Sequence, residues 1–351
     1  MFISGLGTAV PPHSFTQSDC WDALQRADRP ELTPRTRAVL RGILNHDHGI
    51  ERRWLALETL DESFDLDPDT LHQRFARNAP LLASQAASRA LESAQLDARE
   101  IDAVLVSTCT GYLCPGLTSY IGQTLGLRSD AFHLDLVGQG CGAALPNLRA
   151  GEALLASRRA GKVLSICVEV CSAAFYLDND LGVLVSACLF GDGAAAAVLS
   201  DTAREGAPRV EWKATGSLHN PAERDALRFE QRGGMLRNIL TLPVPKLAGL
   251  HARRVMDEVL AREELPREAI DAWILHAGGK RVLAELQGAI GLDDEAIRHS
   301  SAVLREFGNL SSPFVLFVLE AALARGARPG WWWMSSFGAG FSCHGALLRV
   351  G

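Results

Sequence analysis

Three side chains in this sequence stand where nucleophilic chemistry could be done. Cys141 lies in LVGQGCGAALPNL, between an apolar stretch that reads as a strand and the start of an Ala- and Leu-rich helix. A thiol at that junction meets unpaired backbone N–H groups and the positive end of the helix dipole, both of which favour the nucleophilic thiolate. Gly138, Gly140 and Gly142 around it allow a tight turn and close approach of a substrate. His276 ends the apolar run AWILH and precedes AGG, a strand end from which an imidazole can point into a cleft. Asn309 sits in REFGNLSSPFVLF, in a turn before an apolar helix. Each has a plainer reading: Cys141 as a buried cysteine in a glycine-rich turn, His276 as a capping or core histidine, and Asn309, Ser311 and Ser312 as N-capping groups. What joins them is that all stand on junctions between elements, and that a last glycine-rich loop, Ser336 to Phe341, follows.

The elements holding these junctions alternate short apolar runs with amphipathic stretches, the pattern of an α/β chain. Strands are predicted through FISGLGTAV, IDAVLVSTCT, AFHLDLVGQ, KVLSICVEV and GAAAAVLS. Between them, helices are predicted over 79–96, through GLTSYIGQTLGL and through GAALPNLRAGEALLASRRA, where Pro146 must fall in the first turns. The order resumes after a charged, proline-containing stretch, Asp201 to Arg209: a strand at VEWKATGSL, the strand IDAWILH with the helix GGKRVLAELQGAIGL, then the helix PFVLFVLEAALARGA before the strand WWWMSSFGAGF. Two halves are expected, 1–204 with the cysteine and 205–351 with the histidine and asparagine. The run Trp331 to Trp333 reads as strand core or interface rather than a stacking platform.

With 351 residues, 47% hydrophobic and 22% charged, the chain is long enough for a large core. Its 35 basic and 41 acidic residues sum to −6, and no basic stripe offsets that charge, so nucleic acid is not an expected partner. The eight cysteines lack small-domain spacing and several lie in apolar runs, which implies free thiols in a reducing compartment. No apolar run reaches the ~18 residues of a membrane span, and MFISGLGTAVPPHSF lacks the regions of a secretion signal, so a cytoplasmic protein is expected. His46 and His48 have no third ligand nearby, and no metal is expected there.

The strings GTAVPP, STCTGYLCPGLTSYIGQTLGLRSD, the Cys141 turn, CLFGDGAAAAVLS, ILHAGG, FGNLSS and FGAGF run along nearly the whole chain, and together the sequence resembles the type III polyketide synthases, the chalcone synthase-like branch of the thiolase superfamily. The resemblance implies a thiolase-like αβαβα five-layered fold with duplicated halves, a homodimer, no cofactor, and a catalytic set of Cys141, His276 and Asn309. It further implies that Cys141 thiolate, paired with His276 imidazolium, takes an acyl group from a thioester. His276 and Asn309 then stabilise the enolate left when a malonyl-type extender loses CO2, and repeated extension ends in cyclisation. Backbone N–H groups of Cys141 and of the Gly338–Gly340 loop are the expected oxyanion donors.

By the same resemblance, Phe190 gates the cavity, Cys109, Thr110, Cys171, Ala174 and Ser311 line it, and Cys114 reaches into the neighbouring subunit. Ordinary apolar packing is the competing reading for each. Ala174, where plant enzymes of the family carry a larger threonine, leaves room for a long or bulky starter, as in alkylpyrone or alkylresorcinol formation. Asn238, in RGGMLRNIL, could refill that volume. Ala339 stands in place of the family's usual proline and leaves the last loop less rigid. Arg41, Arg52 and Arg53, with Lys280 and Arg281, are candidate contacts for coenzyme A phosphates or for an acyl carrier protein, against the alternative of a solvated charged face. The competing activity is that of a single-round 3-oxoacyl-[acyl-carrier-protein] synthase III, which shares the catalytic set but typically has an HQAN-like string where this chain has HAGG. Cys343 keeps open a thiolase with a second catalytic cysteine.

Overall fold

The computed structural model describes residues 1–351 except 28, 46–48, 204–205 and 207. After β1 (Phe2–Ala9), the short strands β2 (Ser14–Thr16) and β3 (Arg52–Trp54) pair with each other and bracket α1 (Gln17–Arg26) and α2 (Pro34–Asn45). There follow α3 (Pro68–Ala94), β4 (Ala103–Ser107), α4 (Leu117–Leu125), β5 (Phe132–Leu136), α5 (Ala144–Ala156), β6 (Lys162–Glu169), α6 (Leu181–Leu189) and β7 (Gly193–Ser200). The remainder is β8 (Val210–His219), a hairpin of β9 (Leu227–Arg232) and β10 (Met235–Leu240), α7 (Val244–Arg262), β11 (Ile270–Leu275), α8 (Lys280–Ile290), α9 (Arg298–Phe307), α10 (Phe314–Ala324), β12 (Gly330–Gly338) and β13 (Ser342–Val350).

Nine strands join in the order β11-β12-β13-β8-β1-β7-β6-β4-β5, with parallel and antiparallel pairs mixed. Two sheets meet edge to edge within that order, where β1 pairs with β8 through Phe2–Glu211 and Ile3–Val210. α5 packs on β4, β6 and β7 and also on β12 and β13, while α10 packs on β1 and β7 and also on β11 and β12. The two sheets therefore face each other across these two helices. α3 covers the outer face of the first sheet and α7 that of the second, which gives five layers, αβαβα. A helix between two sheets has no water-facing side, and α10 accordingly is buried from Phe314 through Leu319.

Asp67 caps the N–H of Thr70 and Pro68 occupies the first turn, so α3 starts at 68 rather than 79 and Pro80 lies inside it. SCHGALLRV, to which the sequence reading assigns no element, is the strand β13, paired with both β12 and β8. Cys343 is fully buried in that strand, beside the core rather than the cavity described below. Trp332 and Trp333 are fully buried in β12. The expected boundary between 204 and 205, like His46 and His48, lies outside the described residues.

Candidate active site

Cys141 sits in a single 3-10 turn, Gly140–Gly142, between β5 and α5, and is 8% exposed. The turn is pressed against the end of β12: a side chain at Gly338 would meet Gln139 O and Gly142 N at 2.5 Å each, so only glycine fits there. Ser336 Oγ donates to Gly142 O at 3.0 Å and ties the same two elements. Ser311, before α10, donates its hydroxyl to Cys141 Sγ at 3.2 Å and its backbone N–H to Asn309 Oδ1 at 2.9 Å. That second bond holds Ser311 at φ +58, a conformation costly for a non-glycine residue. Asn309 Nδ2 in turn donates to Gly278 O at 3.3 Å, two residues beyond His276.

His276 leaves β11 with its N–H donating to Ser335 O at 2.9 Å, and its ring lies edge-on to Phe314 and Phe337. It is 1% exposed, and among the described residues neither ring nitrogen has a hydrogen-bond partner. An unpaired buried imidazole is costly unless a ligand completes it. Burial pushes the Cys141 thiol up to about 12, against the Ser311 hydroxyl bond that pulls it down, and burial alone pushes His276 down to about 3. Neither group charges readily alone. A proton passed from the thiol to the imidazole would charge both groups at once.

Glu169, which the sequence reading passed over, ends β6 fully buried. It accepts from Thr108 Oγ1, Cys109 N and Sγ, Thr110 Oγ1, Ser311 Oγ and Ser312 Oγ at 2.6–3.4 Å. Burial raises its carboxyl above the usual range despite these donors. The only hint in the sequence was an acid closing the otherwise apolar run KVLSICVEV.

Cys109, Thr110, Cys171, Ala174, Phe190 and Ser311 line one cavity together with Cys141. Leu227, Arg228, Phe229 and Asn238 of the β9–β10 hairpin close it, and Phe175, Ser186, Gly140 and Ala339 complete its wall. Phe190 is placed by backbone pairing with Asn309. Two expected residues are elsewhere. Gly338 and Gly340 are not in the lining, whose last-loop member is Ala339, because Gly338 is spent on packing against Gln139 and Gly142. Cys114 is exposed at the surface of the single chain.

Arg53 is not placed to meet a phosphate. It is buried, and its guanidinium donates to Gln17 Oε1, Ala187 O, Phe190 O and Cys20 Sγ, so it anchors the backbone at Phe190 from behind. Arg41, Lys280 and Arg281 are exposed, and Arg52 is half-buried beside Glu51 and Glu306. A Cβ at Gly49 would lie 3.2 Å from Lys280 Cβ, so the segment before β3 adjoins the start of α8.

A cysteine at a helix start, buried against a serine–asparagine relay between two facing sheets, defines a condensing enzyme of the thiolase fold. Residues 49–226 match the FAE1/type III polyketide synthase-like family and residues 253–350 match the C-terminal domain of the chalcone and stilbene synthases. The 3,5-dihydroxyphenylacetyl-CoA synthase of Amycolatopsis balhimycina is 33% identical over 99% of this chain and 92% of its own. The 1,3,6,8-tetrahydroxynaphthalene synthase of Streptomyces peucetius subsp. caesius is 31% identical over the same shares. Among solved structures, 1,3,6,8-tetrahydroxynaphthalene synthase from Streptomyces coelicolor A3(2) superposes with a TM-score of 0.89 at 25% identity, covering 99% of each chain. PKS-I of the brown alga Ectocarpus siliculosus does so at 0.89 and 27%, covering 99% of this chain and 97% of that one. The chain belongs to the type III polyketide synthases. It is thus an acyltransferase of iterative decarboxylative condensation rather than a single-round synthase.

Proposed function

We propose that this enzyme loads a short acyl group from coenzyme A onto Cys141, extends it with malonyl units, and releases an aromatic or pyrone product. The thiol attacks the acyl thioester as its proton passes to His276, and coenzyme A thiol leaves. His276 and Asn309 then donate to the thioester carbonyl of malonyl-CoA, so that the electron pair left by departing CO2 rests on an enolate oxygen. The enolate carbon attacks the acyl-Cys141 carbonyl, and the lengthened chain returns to the cysteine. Decarboxylation supplies the electrons, so the cycle needs no resident cofactor or metal. The observation that carries this reading is the Cys141–Ser311–Asn309 relay at the wall of a cavity, in a chain of this family.

Arg41, Arg52, Lys280 and Arg281 are assigned to the phosphates of coenzyme A, with an acyl carrier protein as the other candidate donor. A homodimer is supported by the open edge of β5, where Phe132, Val137, Tyr112 and Tyr120 are exposed near Cys114. No helix among the described residues is long and apolar enough to cross a membrane, and we assign the enzyme to the cytoplasm. A second reading, a long alkyl starter, is favoured by Phe175, which is a wall of the cavity and also of an apolar chamber lined by Leu24, Leu40, Leu44 and Phe64. Mass analysis of products from acyl-CoAs of graded length with malonyl-CoA tests both. Short-starter tri- to pentaketide pyrones or phenols are expected, preferred alkylpyrones would favour the second reading, and a lone diketide would contradict both.

A further inference from the structure

The polar groups lining the cavity divide into two kinds. Thr110, Cys109 and Ser311 are engaged with Glu169, Ser311 also with Cys141, and Arg228 with Asp225 O and the Glu230 carboxylate. Asn238 and Ser186 are not engaged. Each is 7% exposed, each lines the cavity, and among the described residues neither side chain makes a hydrogen bond. Asn238 lies opposite Phe229 in the β9–β10 ladder and Leu240 lies opposite Leu227, so these four share the face of the hairpin that closes the cavity. Asn238 is the one polar side chain among these four. Ser186 comes from α6, the helix on which β10 packs, in the apolar sequence LGVLVSACL.

An amide and a hydroxyl that face a cavity without protein partners keep their hydrogen-bonding capacity for what enters it. A helical serine commonly bonds back to the carbonyl four residues earlier, and Ser186 does not. Both groups are therefore open to whatever fills the cavity. An alkyl chain offers them nothing. A chain built from malonyl units carries an oxygen on every second carbon, as ketone or enol. A ketone accepts from the Asn238 amide N–H or the Ser186 hydroxyl, and an enol also donates to the Asn238 carbonyl oxygen.

We propose that Ser186 and Asn238 bind the keto and enol oxygens of the growing poly-β-keto chain and so set how many extensions precede cyclisation. This rests on the reading of Cys141 as the site of chain growth. The groups bond only after keto groups have entered the cavity, so they act on late rounds and not on loading. They are specificity-determining residues, distinct from the catalytic set.

The test compares Asn238→Leu, Ser186→Ala and the double variant with the wild type on acetyl-CoA and malonyl-CoA, reading products by mass and acyl adducts on Cys141 by intact-protein mass. Loss of one uncharged hydrogen bond corresponds to about a fivefold effect. The ratio of longest to shorter products is expected to fall about fivefold in each single variant and further in the double, with starter still accumulating on Cys141. Asn238→Ser, which keeps a donor, is expected to recover part of the ratio. An unchanged product distribution in the double variant would overturn the proposal, as would equal loss of adduct and of all products, which is the mark of a merely structural role. Absence of any adduct on Cys141 in the wild type fails the underlying reading instead, and is seen separately.

Discussion

Ser311 donates its hydroxyl to Cys141 Sγ across 3.2 Å, and this is the one hydrogen bond from a neighbouring side chain that draws the buried thiol toward ionisation. The serine is itself fixed by Asn309, so the nucleophile and the third member of the catalytic set are joined through one residue. Ser311→Ala is expected to slow acylation of Cys141 about fivefold, the weight of one such bond. Rapid-quench intact-mass kinetics measure this, and an unchanged acylation rate would count against the relay.

His276 should govern the pH dependence of the thiol. With burial acting and no imidazolium beside it, Cys141 is held up at about 12. In His276→Ala, alkylation of Cys141 by iodoacetamide should therefore rise about tenfold per pH unit from 6 to 10, because the thiolate fraction is far from saturation throughout. In the wild type, proton transfer to His276 should produce a plateau within that range. Coincident profiles would remove His276 as the thiol's partner.

Glu169 makes a prediction about stability. Its carboxyl is raised from 4.5 by burial, so the folded protein keeps a proton that the unfolded chain has lost. Its contribution is full below about pH 4.5 and is lost as pH rises through the folded value. The wild type should thus lose more stability than Glu169→Gln between pH 4.5 and neutrality. Urea denaturation of both proteins across that window measures the difference, and parallel curves would refute it.

How far the site was legible depended on whether a residue's position along an element signalled its surroundings. Cys141, His276 and Asn309 stand at junctions between predicted elements, and junctions at strand ends are where the two sheets bring side chains together. Arg53 was misread because a charged residue in a charged stretch looks solvated, and nothing local reveals that three carbonyl-type oxygens and a sulfur converge on it. Glu169 and Ser186 were missed for the opposite reason: a single polar residue in an apolar run marks either an end or a site, and only tertiary packing decides. No strand is predicted over β13, whose apolar run is broken by His344 and Gly345, yet Gly345 is required by Trp333, whose ring atoms lie 2.3–2.5 Å from where a Cβ would stand.

The basic residues separate into two classes that mutation can distinguish. Arg53→Met strips donors from Ala187 O, Phe190 O and Gln17 Oε1 and should cost about 3 kcal/mol of stability, measured by denaturation. Arg281→Ala, at an exposed position, should leave stability within about 0.5 kcal/mol and raise the KM for acyl-CoA. A stability loss in Arg281→Ala with no change in KM would reverse the assignment.

Everything above depends on Cys141 carrying the chain. Intact-protein mass after mixing with acyl-CoA, with adduct mapping by peptide digestion, reads this directly. The wild type should gain one acyl mass per chain, on Cys141 and not on Cys109, Cys171 or Cys343, and Cys141→Ala should gain none and form no polyketide. An adduct on another cysteine, or polyketide from folded Cys141→Ala, would contradict the account.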